Sequence, residues 1–386
     1  MKRFLVLDSF RGLCALAVVL HHSHALQSFT ELAFFRHSNY LVNFFFVLSG
    51  FVLYHIYGQR LGSAAQLKGF VIARICRLYP LHLAMLLIAL GLECLKMVME
   101  QRGMSFGLPS FTGAKAAQEI LPNLFLLQSW WSGFNQMSFN FPSWSISVEF
   151  YLYLLFALVI AVSPGFSRQV FAAIAVLAFI ALYFRSALFT EGALVGMGCF
   201  FAGALTYRLY DRFKHLSVSL PVATSLEALS LLTVYLAVTY SSPSQNISLS
   251  LLFCGVIAVF SFEAGALSTL LRTRLFKWVG MLSFSIYMIH SIVILFGLMG
   301  LMLLSKLTGQ TLLIDRVGRE PGELVRYIDS GSAMLDNLLI VIELGSVLAV
   351  SVLTYRYIEL PGIELGKLMN ARSQSQNGHA PSDSRA

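Results

Sequence analysis

Charge is what this 386-residue chain has least of: Asp, Glu, Lys and Arg together make up 12% of it. A water-soluble domain of ordinary composition carries about 25%, so a chain whose whole surface faces water is excluded. Cysteine is sparse too, with five residues (Cys14, Cys76, Cys94, Cys199 and Cys254) and no metal-like spacing. Four of them fall inside apolar stretches, where a thiol is most simply a small packing group, and nothing suggests a disulfide framework. Alternating segments of about ten residues, the mark of a membrane barrel, are missing, as are internal repeats and a second, polar domain.

What is present is hydrophobicity, 57% of residues with a mean hydropathy of +0.73. The apolar residues gather into runs of about 20, the length that takes a helix across a bilayer. Backbone groups in lipid must be satisfied within helices or closed barrels. The sequence therefore predicts an all-α, polytopic transmembrane helical bundle of about ten spans. They lie roughly at 10–29, 39–58, 78–99, 143–163, 168–185, 189–209, 220–240, 247–264, 279–303 and 335–358. The segment 122–131 (PNLFLLQSWW) is too short to span and reads as re-entrant or interfacial, with Trp130 and Trp131 at headgroup depth. One integral membrane domain over 1–370 is expected, followed by a polar, Ser-rich, disordered tail at 371–386.

Basic residues set the orientation. With the amino terminus, the loops 59–77, 164–168, 208–219 and 265–278 and the carboxyl terminus on one side, that side holds 18 of the 27 Lys and Arg residues. Both termini are then expected in the cytoplasm, in a multi-pass protein of the inner (plasma) membrane. The net charge of +8 needs no nucleic-acid partner, because a basic face beside anionic lipid accounts for it. Lys2 and Arg3 ahead of an apolar run look like the start of a signal peptide. Asp8 and Arg11 interrupt that run, however, and His21, His22 and His24 follow where a cleavage site should be, so the first span reads as uncleaved.

Polar residues inside the spans carry the functional signal, since a charge at mid-bilayer costs about 2.5–3.5 kcal/mol on insertion scales. Arg11 and His22 are eleven residues apart, almost three helical turns, so they share a face about 16 Å apart along the axis. Arg11 could equally snorkel to headgroups, and His22 could bond a neighbouring helix. Arg74 and Arg77 in R-I-C-R-L-Y-P share a helix face at i and i+3 and could grip phosphates, although two basic residues before a span are also ordinary topology signals. In P-S-W-S-I-S-V-E-F, Ser145 and Glu149 fall on one face at i and i+4; a buried carboxylate there suits a general acid or base, or an interhelical strut. Ser283, Tyr287 and His290 form one polar stripe on an otherwise apolar helix, which should face protein or water rather than lipid.

Taken in order, these segments resemble the acyltransferase-3 family of membrane O-acyltransferases. The resemblance rests on L-D-S-F-R-G-L-C-A-L-A-V-V-L-H-H-S, V-N-F-F-F-V-L-S-G-F-V-L, R-I-C-R-L-Y-P, S-W-S-I-S-V-E-F, S-I-Y-M-I-H and a closing Y-R-Y-I-E-L-P, and runs from about residue 4 to 365. The chain differs where Ser9 replaces a frequent Gly, Asn43 a common Asp and Leu360 the usual Arg of the closing segment. The resemblance implies transfer of an acyl group, usually acetyl, from cytoplasmic acyl-CoA (acetyl-CoA) as co-substrate to a hydroxyl of a carbohydrate or glycan outside the cytoplasm. His22, Glu149 and Arg11 are then the expected catalytic residues, Arg74 and Arg77 the donor-binding pair, and Ser145, Tyr287 and His290 the acceptor-binding set, with no metal. Many relatives carry a fused hydrolase-like domain; here a second catalytic unit, if needed, would be a separate extracytoplasmic protein. A proton-coupled transporter or a flippase of a lipid-linked sugar remains as the alternative, since both also place His and Glu in the membrane.

Overall fold

The computed structural model describes residues 2–240, 246–317 and 324–378, the side chains of 373–378 excepted. Its helices are α1 (Leu5–His22), α2 (Ala33–Arg36), α3 (Leu41–Tyr57), α4 (Ala64–Gln101), α5 (Ile120–Leu124), α6 (Ser143–Val162), α7 (Ser167–Tyr183), α8 (Glu191–Phe213), α9 (Leu220–Thr239), α10 (Asn246–Ser261), α11 (Ala266–Leu271), α12 (Arg274–Thr308), α13 (Ala333–Thr354) and α14 (Leu360–Gly378). Among the described residues, eight helical segments are long and apolar enough to cross a membrane. Two shorter apolar helices, α7 and α10, occupy the fifth and eighth predicted spans. Each of the ten apolar runs read from the sequence is thus helical, and the fold is an all-α polytopic bundle.

Glycines decide how closely the helices approach. A Cβ on Gly12 would sit 2.6 Å from the Gly280 backbone nitrogen, and one on Gly280 would sit 2.3 Å from the Asp8 carbonyl, so α1 and α12 meet backbone to backbone. Gly50 and Gly203 play the same part for α3 and α8, where added Cβ atoms would lie 1.8 Å from Phe200 O and 1.9 Å from Val47 O. Small residues that admit close backbone contact are the usual adhesive of helices in lipid, where burial of apolar surface gives little drive. The first pair brings the polar stripe of α12 alongside the His22 end of α1.

The first span, Leu5–His22, begins five residues and ends seven residues earlier than predicted. Its amino end reaches back to Leu5 because Glu263 accepts the Val6 amide at 3.0 Å, satisfying a free helix N–H from another element. It stops at His22 because the next residues pair with a hairpin absent from the sequence reading: β1 (Leu313–Val317) antiparallel to β2 (Leu324–Ile328). Ile328 N donates to His24 O and Leu26 N to Ile328 O, both at 2.9 Å. Two β-bonds outcompete one more helical turn. Helix α4 starts fourteen residues before the span predicted at 78–99, opened by a capping box at Ser63 and Gln66. Arg74 and Arg77 therefore ride on an extension of a spanning helix, not on a separate surface loop.

The segment at 122–131 does not cross. It forms the end of α5 and a run of turns, and Ser147 of α6 satisfies its backbone: Ser147 Oγ donates to Leu126 O at 2.6 Å and accepts from Ser129 N at 3.4 Å, while the Trp130 side chain donates its Nε1 to Ser147 O at 3.2 Å. Irregular backbone beside a membrane helix is tolerated when protein provides its partners. Trp130 is buried and Trp131 exposed. Helix α14 runs on to Gly378, into the stretch expected to be disordered, and residues 379–386 lie outside the described residues.

Candidate active site

The polar residues of the spans converge on two cavities. On the Lys2 side, a cavity of about 40 Å³ is lined by Arg11 of α1, Ser49 of α3, Ser145 and Glu149 of α6, and Ser283 and Tyr287 of α12. One oxygen of the Glu149 carboxylate accepts from both the Ser49 and the Tyr153 hydroxyls. Among the described residues no side chain hydrogen-bonds the Arg11 guanidinium, which leaves its five donors open towards that cavity.

The second cavity, about 500 Å³, lies at the other end of α1. His22, Phe141, Trp144, Glu191, Asn246 and His290 are among its walls, and Val42 and Tyr287 line both cavities. Ser145 Oγ donates to the Tyr287 hydroxyl at 2.9 Å at this partition. The His22 and His290 rings stack with centroids 5.3 Å apart, and Phe141 closes over them at 4.5 and 5.5 Å. Asn140 holds Phe141 in place by donating to Met288 O at 3.1 Å and accepting from Ser291 Oγ at 2.6 Å.

The tautomer of His290 follows from its partner. Its Nδ1 lies 2.6 Å from the Tyr287 carbonyl, which can only accept, so Nδ1 carries the hydrogen. Nε2 of the neutral ring is then a bare acceptor, and it is buried with no protein partner. The His22 ring lies against the rings of His21, Phe141 and His290 and makes no hydrogen bond among the described residues. Two imidazoles on one cavity wall with a free ring nitrogen can accept a proton there.

A third group lies further towards the Lys2 end. The Arg74 guanidinium sits over the rings of Tyr57, Phe70 and Tyr153 at 5.5–5.6 Å, and its Nη2 donates to the Tyr57 hydroxyl at 3.4 Å. Its Nε is buried and unpartnered. Tyr153 links this box to Glu149. Arg77 and Arg11 both act electrostatically on Glu359, whose carboxylate accepts from Ser285 Oγ at 2.9 Å. Glu359 ends a π-helical turn, Tyr355–Glu359, between α13 and α14; such turns recur at functional sites.

The stripe Ser283, Tyr287 and His290 faces the protein interior: Ser283 and Tyr287 line the smaller cavity, Tyr287 and His290 the larger. Arg11 and Glu149 share the smaller cavity, while His22 belongs to the other, and among the described residues no hydrogen bond joins Glu149 to His22. Sequence reasoning passed over Ser49, Tyr153 and Glu343. Glu343 could have been found, because it is a carboxylate in the middle of the tenth apolar run; Ser49 and Tyr153 carry no periodic signal that separates them from packing residues.

Comparison with known proteins gives the family of the chain. The family model described as "Acyltransferase domain" matches residues 4–356. Among curated proteins, "Protein 2 in picA locus" of Rhizobium radiobacter is 36% identical over 157 residues, 36% of this chain and 80% of that protein. "Acyltransferase MdmB" of Streptomyces mycarofaciens is 33% identical over 160 residues, 39% of this chain and 38% of that protein. No solved structure matches. With its model spanning nearly all of the helical bundle, the family is shown: the chain belongs to the acyltransferase-3 family of membrane acyltransferases.

Proposed function

We propose that this enzyme takes an acyl group, usually acetyl, from acyl-CoA on the cytoplasmic side and moves it to a hydroxyl of a carbohydrate or glycan on the other side of the inner membrane. The observation that carries the reading is the order of polar groups along the bundle. Arg74 and Arg77 come first, then Arg11 and Glu149, then Tyr287, then the His22–His290 pair on a cavity large enough for a sugar. In this reading the Lys2 end is cytoplasmic, consistent with the distribution of basic residues.

The donor's phosphates would meet Arg74 and Arg77, whose planar guanidinium groups suit paired phosphate contacts. Its thioester end would approach Tyr287 past Arg11, with the smaller cavity widening from its about 40 Å³ to admit it. An acceptor hydroxyl in the larger cavity attacks the thioester carbonyl carbon. The C–O bond forms as the C–S bond breaks, and the hydroxyl proton passes to the free nitrogen of His22. The thiolate leaves as coenzyme A after taking up a proton. The neutral His290 beside His22 offers its bare Nε2 to the same hydroxyl or to a second hydroxyl of the acceptor. Trp144 and Phe141 give the apolar sugar face a surface to lie on, and Glu191 and Asn246 present acceptors and donors to its hydroxyls.

The test is acyl-CoA consumption by purified protein supplied with cell-envelope glycan, with mass spectrometry of the product. His22→Ala is expected to lower turnover about 10²–10⁴-fold, the usual contribution of a general base, while acyl-CoA still binds. His21→Ala and His24→Ala should lose much less. Transfer at the parental rate by His22→Ala would remove His22 from the chemistry.

A further inference from the structure

The extracytoplasmic end of α1 is tied down more heavily than helix capping alone requires, and the ties straddle His22. Arg36, at the end of the four-residue α2, is 9% exposed. Its Nη2 donates to the carbonyls of Leu20 at 2.5 Å and Ser23 at 2.9 Å, two residues before and one after His22. Its Nε donates to Thr30 O at 2.7 Å, its Nη1 lies 2.5 Å from His24 Nδ1, and Glu31 balances its charge at 3.7 Å. On the opposite flank, the Ser23 hydroxyl has two acceptors within reach of its single hydrogen, Val19 O at 3.0 Å and the carboxylate of Glu343 on α13. A helix end normally leaves its last four carbonyls to water or to a glycine-type cap. Here a buried cation takes the Leu20 and Ser23 carbonyls, and the half-buried carboxylate of Glu343 holds the Ser23 side chain on the other flank of the turn that carries His22.

We propose that Arg36 is a positioning residue for His22: it fixes the terminal turn of α1 so that the ring is held against His290 and aimed into the larger cavity. The role follows from geometry. A guanidinium is a rigid fork whose donors bridge the two carbonyls and Thr30 at once, and a lysine ammonium offers one compact point that cannot span them. The favourable pairing of a cation with a helix carboxyl end adds to the hold. Arg36 touches no reacting atom. Its effect is to keep the base within the narrow range of positions that a proton transfer demands, where a displacement of about 1 Å can cost on the order of 10²-fold in rate. The inference rests on the acyl-transfer reading for its kinetic consequence but not for its structural one.

The experiment has two parts. In the full-length enzyme, Arg36→Lys and Arg36→Gln are compared with the parent after each is shown to elute as the same monodisperse species in detergent. Turnover is expected to fall about 10- to 100-fold in both, with the KM for acetyl-CoA within two-fold of the parent, because donor binding lies at the other end of the bundle. Separately, in a cysteine-free background, His22→Cys and His290→Cys are joined by a short bis-thiol-reactive linker. Linking is expected to be at least ten-fold slower once Arg36→Lys or Arg36→Gln is added. Equal linking rates with and without Arg36 overturn the proposal, as does an Arg36→Lys enzyme with parental turnover. If linking slows while the parent itself consumes no acyl-CoA, the positioning role stands and the acyl-transfer reading falls.

Discussion

At the scale of single residues, the site is a set of cations and acceptors whose surroundings decide what each can do. Arg74 is enclosed by three aromatic rings with one nitrogen left unpartnered, whereas Arg77 acts electrostatically on Glu359 of the π turn. The two are therefore not equivalent despite their i, i+3 spacing. Arg77→Lys keeps the charge and loses the fork, so the KM for acetyl-CoA is expected to rise about ten-fold or more with turnover little changed. If a titration of acetyl-CoA against Arg77→Lys and Arg77→Ala reproduces the parental curve, the pair is only a topology signal. Much at this scale was legible in the sequence, because a polar group in a long apolar run stands out: Arg11 and Glu149 line the smaller cavity, His22 and His290 the larger, and Tyr287 both. What could not be read was which cavity each belongs to. Helical periodicity puts Arg11 and His22 on one face, but it says nothing of the Tyr287–Ser145 partition, which is made by two other helices. Arg36 escaped notice because it lies in a polar loop, where an arginine is unremarkable until the chain folds back onto α1.

Elements were legible in proportion to their apolar length. Helices α6, α7 and α9 fall within about two residues of their predicted bounds, because lipid leaves a long apolar segment no alternative to helix. The errors sit where polar partners intervene, at the ends of α1 and α4 and in the hairpin. Five-residue strands flanked by charged residues carry little signal, and β2 is specified by its contact with His24 and Leu26 rather than by its own composition. The same dependence on partners makes the α1–α12 seam sensitive. Gly280→Leu would drive side-chain atoms into the Asp8 carbonyl, and because the obstacle is backbone it cannot swing aside. Overpacking of this kind typically costs about 1–3 kcal/mol, and here it also pushes His290 away from His22. The expected result is a lower thermal midpoint in detergent together with lost turnover, whereas Gly297→Leu, which has open space around it, should leave the midpoint near the parental value. Equal midpoints for the two variants would mean that the seam is looser than its backbone distances indicate.

On the scale of the whole molecule, orientation gives the order of polar groups its meaning. The proposed orientation, with both ends of the chain in the cytoplasm, predicts that a single cysteine at residue 380 is closed to a membrane-impermeant thiol reagent added to intact cells. One at the exposed Val317 of the hairpin should react. Reaction at both sites, or at neither, would break the proposed path, and reaction at 380 alone would invert it. The bundle is also uneven in height. At 1.5 Å per residue, the 17 residues of α7 and the 16 of α10 reach only roughly 24–26 Å, and the 35 of α12 roughly 52 Å. A hydrocarbon layer about 30 Å thick cannot match both. Mismatch of this kind is met by thinning of the bilayer or snorkelling of flanking residues beside α7 and α10, and by tilt of α12. Bilayers of shorter chains are already closer to α7 and α10 in thickness, and the deformation energy stored beside those two helices falls as the host membrane becomes thinner.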